Sequence, residues 1–583
     1  TTFNSVGDKI EVFDLTGNFG EEIATITADV GGIYFLEVAV FKAPQPTTTY
    51  SLALKNVSNK AITQSEKVDQ HLARWDSATS PGLAVAVSQD GEIVYSKGFG
   101  LANLEYGIPI TPSTVFDVAS ISKQFTAFSI LLLAHEGKLS INDKVSQYLP
   151  ELADLGHDMT LQHLLHHTSG LRQVDVLRAL AGWRDDDITT QDMSLKLIAM
   201  QNELNFSPGE KFDYSNSGYF LLAQVVSRVS GQSFSTFTQQ RIFAPLDMDS
   251  SAFPTGYQSV INNKAYSYHL SPEGFSKNIL NSTMSGSTGL TTTVEDLAKW
   301  ASNFEHPKVG NLDIIQQMKS PAIFNNGETI NYGFGQVVDN YRGAATYGHG
   351  GTMAGFRTYL LRIPSQKLSV VVLANLPHLN PLNIAYEIAN FYLPKSHESM
   401  QPAMPISNDS LTSFTGDFEI LGGIRYTISL GIKNLYLQIM GGAKQPLTHL
   451  SGEEYSFGSA GRKIRLSRDK ITLVEGIYGG QIIVGNRVLV PLINASLLDL
   501  SEFTGRFYSQ ELDTTYELVI EHNQLKAYNL RTEVYLTPYD TDIFSGSAGF
   551  FLRAKFVRNK NSEVTGLEVS GTQVDRLKFR KVH

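Results

Sequence analysis

Ser120-Ile121-Ser122-Lys123, followed by Phe125, Phe128 and Leu132 and closed by Gly137, is the stretch on which the reading of this chain turns. The apolar spacing predicts a helix that begins near Ser120 and stops at Gly137. A lysine three residues after a serine at a helix start lies one turn on, on the same face and within reach of the hydroxyl. The helix N-terminus adds partial positive charge, which favours an alkoxide or oxyanion there. Serine at its ordinary pKa is a poor nucleophile, and an amine held neutral by burial can take its proton. S-x-x-K also arises by chance as a capping serine with an exposed lysine, so the motif needs company.

That company comes at two further places. Ser207 to Tyr219 presents Tyr214-Ser215-Asn216 on a turn ahead of an apolar helix around Phe220 to Val226, and Tyr347 to Thr352 places His349-Gly350-Gly351 on a glycine-rich strand edge. In this order the three resemble the motifs of the β-lactamase/penicillin-binding serine hydrolase superfamily. The pattern is most similar to the branch holding class C β-lactamases, D-stereospecific aminopeptidases and β-lactamase-fold esterases. Leu164-Leu165-His166-His167-Thr168-Ser169-Gly170-Leu171, and Gly289-Leu290 followed by Asp296-Leu297, support the resemblance, which covers most of residues 75 to 395.

The resemblance implies roles residue by residue. Ser120 is the expected acyl-enzyme nucleophile. Lys123 and Tyr214 share its proton as general base and later protonate the leaving group; a tyrosine serves as base only if a cation such as Lys123 depresses its pKa. Substrate binding falls to Asn216, His349, Gly350, Gly351 and Thr352. Asn216 bonds the substrate amide and the lysine, and the backbone N–H groups of Ser120 and Thr352 form the oxyanion hole. Glycines 350 and 351 let substrate lie along the strand as an extra edge partner. No cofactor and no metal is implied. The sequence departs from the β-lactamase pattern where Lys-Thr-Gly becomes His349-Gly350-Gly351. A fixed cation becomes a titratable imidazole and a hydroxyl is lost. That turns the expectation from efficient β-lactamase or DD-carboxypeptidase chemistry toward peptidase, amidase or esterase chemistry. Arg357 reads as an exposed strand arginine rather than a carboxylate partner.

Composition narrows the field. The chain has 583 residues, 42% hydrophobic and 18% charged, with ordinary glycine and proline content for a globular protein. Its net charge of −10, with no basic stripe, argues against nucleic acid as partner. No apolar run approaches the roughly 18 residues of a membrane span. The absence of cysteine removes thiol nucleophiles, disulfides and thiolate metal sites. The chain opens on Thr1 without a charged-then-apolar leader, which is read as a processed, exported protein, periplasmic or extracellular. His163, His166 and His167 have metal-like spacing but no H-E-x-x-H accompanies them, and neither a P-loop nor a G-x-S-x-G elbow occurs.

The expected architecture is multidomain. Residues 1–60 form a short β-rich segment similar to the bacterial pre-peptidase C-terminal sandwich through Gly32-Ile33-Tyr34, Val38 and Tyr50-x-Leu52. Residues 61–400 form an α/β catalytic domain, an antiparallel sheet flanked by helices with a helical subdomain. Asp90-Gly91 is the turn of a hairpin in it. Beyond 400 a unit of about 90 residues occurs twice: Ser413-Phe414-Thr415-Gly416 returns as Glu502-Phe503-Thr504-Gly505, Tyr426 as Tyr516, and Gly458 to Gly461 as Gly546 to Gly549. The alternating strands and glycine turns suggest two antiparallel β-barrels or sandwiches, at 401–494 and 495–583. The resemblance favours barrels, since two behind such a catalytic domain look like the D-aminopeptidase architecture, where a barrel loop reaches the active site. The aromatic residues Tyr426, Tyr436, Tyr516, Phe550 and Phe551 read as barrel core and rim rather than a ligand box. The functional expectation is a serine hydrolase acting on short peptides or amides with a D-residue, or on small esters. The alternative is a penicillin-binding or wall-fragment sensor, or a weak β-lactamase or DD-peptidase, with slow turnover. The expected partner is a small molecule or short peptide, and the oligomeric state is left open.

Overall fold

In the computed structural model, which describes residues 61–394 and 408–582 with short breaks and three short strands before residue 60, Asp90 and Gly91 both take positive φ (54° and 84°). Two such residues make the tight turn whose twist matches paired strands, and they join β1 (Leu83–Gln89) to β2 (Glu92–Phe99). The other strands of this sheet come from far along the chain: β3 (Val337–Tyr341), β4 (Ala344–Met353), β5 (Phe356–Ile363) and β6 (Leu368–Ala374). The order is β3-β4-β5-β6-β1-β2, antiparallel throughout.

Both faces of the sheet are buried, so its central strands are apolar at successive positions rather than alternating. Leu83, Val85 and Val87 of β1 face one core with Val370 and Val372 of β6. Against that face pack the helices α1 (Gln64–Leu72) and α6 (Pro381–Tyr392), through Val68, Leu72, Ile384 and Ile388. Ala84, Ala86, Val371 and Leu373 point to the other, larger core. It is built around α2 (Ser122–His135), α4 (Asn216–Ser230) and α5 (Val294–Ser302). The spacing of Phe125, Phe128 and Leu132 predicts one apolar face for α2, but residues Ser122–Leu133 are buried on every side. α2 is thus a central core helix, and its buried polar side chains are hydrogen-bonded: Ser129 Oγ donates to the Phe125 carbonyl, and the Trp300 indole N–H donates to Gln124 Oε1. It ends as the sequence suggests, with Gly137 at φ 69° and the Lys138 N–H bonded to the Leu133 carbonyl.

Two barrel-like sheets follow. In the second, eight strands from Gly505–Ser509 to Val574–Val582 close on themselves. The first has nine strands, but Gln445–Pro446 and Thr448–Ser451 are halves of one interrupted strand. One half pairs with Leu435–Ile439, the other with Glu454–Phe457, and the ring is joined again by Gly416–Glu419 on Gln481–Val488. Proline lacks the N–H a ladder needs, and Pro446 sits where the strand breaks. The closed barrel is filled: Phe507, Tyr516, Phe544, Phe551 and Phe579 are all buried in one cluster. Its interior is a core and not a ligand chamber. Before residue 60, Thr2–Phe3 pairs with Lys9–Glu11 and Phe35–Leu36. The remainder of the pre-peptidase-like stretch, and the repeat element Gly458 to Gly461, lie outside the described residues.

Candidate active site

Ser120 stands on a strained turn. The residue before it, Ala119, has φ 48°, a region that side-chain-bearing residues rarely enter. Such strain persists only where the surroundings over-determine it. Here the Ala119 N–H donates to Asp117 Oδ1 (2.9 Å), the Val118 N–H to the Leu290 carbonyl (3.0 Å), and the Ser122 hydroxyl to the Ala119 carbonyl (2.6 Å). Ala119–Ile121 form one 3₁₀ turn that runs directly into α2.

Lys123, one turn on, is fully buried. Its Nζ lies 3.1 Å from Ser120 Oγ, 2.7 Å from Asn216 Oδ1 and 2.8 Å from the Ser287 carbonyl oxygen. Burial holds the ammonium pKa well below its usual range, against a smaller opposing pull from Asp175. Asn216 is the first residue of α4. Its Nδ2 donates to Asp175 Oδ2 at 2.8 Å, and Asp175 in turn accepts from Arg178 on the same helix, α3 (Val174–Leu180). Each polar end of Asn216 thus has one protein partner, which leaves one lone pair on Oδ1 and one N–H on Nδ2 for a further hydrogen bond.

Tyr214 is buried, with Lys123 Nζ 4.6 Å from its ring centroid. Its hydroxyl is directed at Ser120 but makes no hydrogen bond of ordinary geometry. Burial pushes the phenol pKa up, with only a small lowering from Ser120. The depression by a cation that a base role for Tyr214 requires is not seen: burial raises the phenol pKa, and Lys123 meets the ring rather than the hydroxyl. Tyr214 lies in an aromatic wall with His167 (ring centroids 4.3 Å apart), Tyr332 (6.3 Å) and His349 (6.1 Å).

His349 departs from the titratable imidazole that its sequence context suggests. It is fully buried on β4; its Nδ1 donates to the Gly350 carbonyl (2.6 Å), leaving Nε2 to accept from the Tyr332 hydroxyl (3.1 Å). Burial, reinforced by Lys123, pushes its pKa down to about 3. His166, also buried, is lowered to about 4. Unfolded histidine titrates near 6.5, so below that value the unfolded chain binds protons that the folded one does not. Stability is therefore full above about pH 6.5 and lost as the pH falls toward 4 and below. Thermal melts across that window are expected to show a falling Tm, with a shallower slope in His349→Gln.

The third motif's glycines divide their work. A Cβ on Gly351 would stand 2.3 Å from the Val118 carbonyl oxygen and 3.1 Å from the Ala119 Cβ. Its bareness is needed for the close approach of β4 to the Ser120 turn. β3 pairs with β4 only through Gly348, so from His349 to Met353 the strand has β5 on one side and no strand on the other among the described residues. Gly350 and Thr352 lie on this open stretch. Arg357, across from Thr352, is half-buried and donates to the Ala354 and Phe356 carbonyls.

With this arrangement in view, the comparisons are unambiguous about ancestry: the beta-lactamase family model matches residues 66–390. The chain belongs to the beta-lactamase family. A D-aminopeptidase of Gluconobacter oxydans is 30% identical over 326 residues, 54% of this chain and 61% of that protein. Protein flp of Staphylococcus aureus is 29% identical over 306 residues, 51% of this chain and 60% of its own length. The chain thus spans about three-fifths of these curated relatives. Among solved structures, the octameric penicillin-binding protein homologue from Pyrococcus abyssi is similar with a TM-score of 0.53 and 26% identity, over 72% of this chain and 99% of that one.

Side chains outside the three motifs hold the main chain of the Tyr214–Asn216 turn. The Ser215 N–H donates to His167 Nδ1 (2.9 Å), and the Asn216 N–H to Gln173 Oε1 (2.8 Å). His163, His166 and His167 each serve a separate hydrogen bond. His163 caps α-helix Leu161–Leu165 through Thr160, His166 bonds the Ser320 carbonyl, and His167 holds Ser215. Among the described residues no helix is long and apolar enough to cross a membrane.

Proposed function

We propose that this protein is a serine hydrolase that works through an acyl-enzyme on Ser120, with Lys123 as the base. The observation that carries the reading is the environment of the Lys123 amine. A neutral amine has two N–H bonds and one lone pair. Asn216 Oδ1 and the Ser287 carbonyl can only accept, so they take the two N–H bonds and leave the lone pair for the Ser120 hydroxyl proton. Burial lowers the amine's pKa well below its usual range, toward the neutral form that this requires.

Lys123 then carries the Ser120 proton to the leaving group, and Tyr214, kept protonated by burial with its hydroxyl directed at Ser120, assists by hydrogen-bonding the reacting oxygen. The Ser120 and Thr352 N–H groups form the oxyanion hole, and the open edge of β4 receives the substrate backbone. Short peptides or amides with a D-residue are the leading substrates, supported by the D-aminopeptidase relative, with small esters second. An exported, periplasmic or extracellular setting goes with that substrate class. His349 is buried and neutral, so no cation of the third motif faces a substrate carboxylate, which counts against efficient β-lactam turnover.

The test is a substrate panel of D-alanine p-nitroanilide, its L-isomer, p-nitrophenyl acetate and nitrocefin. The D-anilide and the ester should exceed nitrocefin in kcat/KM by roughly 10- to 100-fold, the worth of one charge-assisted hydrogen bond. Nitrocefin as the best substrate, or the L-anilide ahead of the D-anilide, would refute the assignment. Stoichiometric labelling by penicillin without turnover of any substrate would favour the sensor reading.

A further inference from the structure

The turn that carries Tyr214 and Asn216 is held at its main chain by three side chains, and one of them belongs to the closed C-terminal barrel. His167 takes the Ser215 N–H and Gln173 takes the Asn216 N–H. The third is Gln573, whose Nε2 donates to the Tyr214 carbonyl. Gln573 occupies the tight turn between strands Val564–Gly571 and Val574–Val582, with φ 63°. Its own carbonyl accepts from the Gln173 N–H (3.1 Å) and from Asn205 Nδ2 (3.0 Å). The residue is therefore fixed at both ends, and it also steadies Gln173, which holds Asn216.

The seat beneath this turn is rigid. Arg172, next to Gln173, donates to Glu511 Oε2 (2.7 Å) and to the Asp575 carbonyl (2.9 Å), and the Asp575 N–H donates to Asn205 Oδ1 (2.8 Å). Leu177 and Leu180 of α3 belong to the barrel's own apolar cluster. A side chain locked in this way can set the position of the backbone it grips.

We infer that Gln573 is a positioning residue for the Tyr214–Asn216 turn, so that the C-terminal barrel forms part of the catalytic unit. The inference rests on the acyl-enzyme reading above. It concerns where Tyr214 stands, and it applies to substrates too small to touch the barrel.

The experiment uses the full chain with Gln573→Ala and Gln573→Glu, p-nitrophenyl acetate as substrate, and melting temperatures alongside. Gln573→Ala is expected to lower kcat about 10-fold with KM within about twofold, the pattern of an interaction used in the transition state. Gln573→Glu replaces the donor by a carboxylate facing the Tyr214 carbonyl and should fall further at pH 7. Its kcat relative to wild type should then recover at least about threefold by pH 5, as the carboxyl protonates and regains an O–H donor. The same ratio for Gln573→Ala should stay flat. Wild-type kcat in both variants would overturn the inference. So would equal losses at every pH that track a lowered Tm, since these mark a packing contact only. Wild type that forms no acyl-enzyme at Ser120 would instead defeat the reading on which the inference rests.

Discussion

Alanine at Ser120 is expected to abolish turnover, and Lys123→Met to lower kcat by roughly 10³-fold, because nucleophile and base act as one unit. Methionine keeps the volume of the buried lysine stem, so the core around α2 stays filled. What it removes is the amine whose Nζ lies 3.1 Å from Ser120 Oγ. The pair Ser120→Ala/Lys123→Met should be no worse than Ser120→Ala alone. In wild type, kcat/KM should fall on the acid side as Lys123 takes up a proton, since the ammonium has no lone pair to offer. The direction of the Lys123 shift places that limb well below the ordinary lysine range. A Lys123→Met enzyme within threefold of wild type would remove lysine from the mechanism.

The largest expected loss of stability lies far from Ser120. Arg172 and Glu511 form an ion pair with side chains only 1% and 5% exposed. Arg172 also bonds Gln201, and Glu511 accepts the Asn202 N–H (2.8 Å). Removing one partner of such a pair strands the other charge in a low-dielectric interior, at a cost of roughly 3–5 kcal/mol. Arg172→Ala should therefore shift the denaturant midpoint strongly. Arg172→Met/Glu511→Leu should regain much of the loss, because apolar replacement of both partners leaves no stranded charge. Urea unfolding of the three chains measures this. A shift below about 1 kcal/mol for Arg172→Ala would show that the pair is hydrated and of surface type.

What the sequence disclosed about this molecule follows from the range of the interactions involved. Ser120 and Lys123 are three residues apart, so one helical turn relates them whatever the rest of the fold does. The Asp90-Gly91 turn is equally local. The three motifs, far apart in sequence, could be joined only through resemblance to a family, and the structure brings Ser120, Lys123 and Asn216 within hydrogen-bonding reach. The chemistry of His349 was not legible, because a glycine-rich strand has no periodicity that tells a buried histidine from an exposed one. Its pKa is set by burial, with Lys123 adding to the lowering, and burial is a product of the packed fold. The undepressed phenol of Tyr214 has the same origin: whether a cation meets the hydroxyl or the ring face is decided by packing. Gln573 is 359 residues from Tyr214 and binds its main chain, which leaves no mark in the residue types of either segment. Asp175 and Gln173 act on Asn216 likewise through geometry alone.

The central claim is a covalent bond at Ser120. Wild-type and Ser120→Ala protein would be mixed with a slowly deacylating penicillin or an activated ester, quenched in acid and analysed by intact mass and peptide mapping. One acyl group per wild-type chain is expected, on the peptide containing Ser120, and none on Ser120→Ala. Acylation of another residue, or equal labelling of both proteins, would contradict that claim.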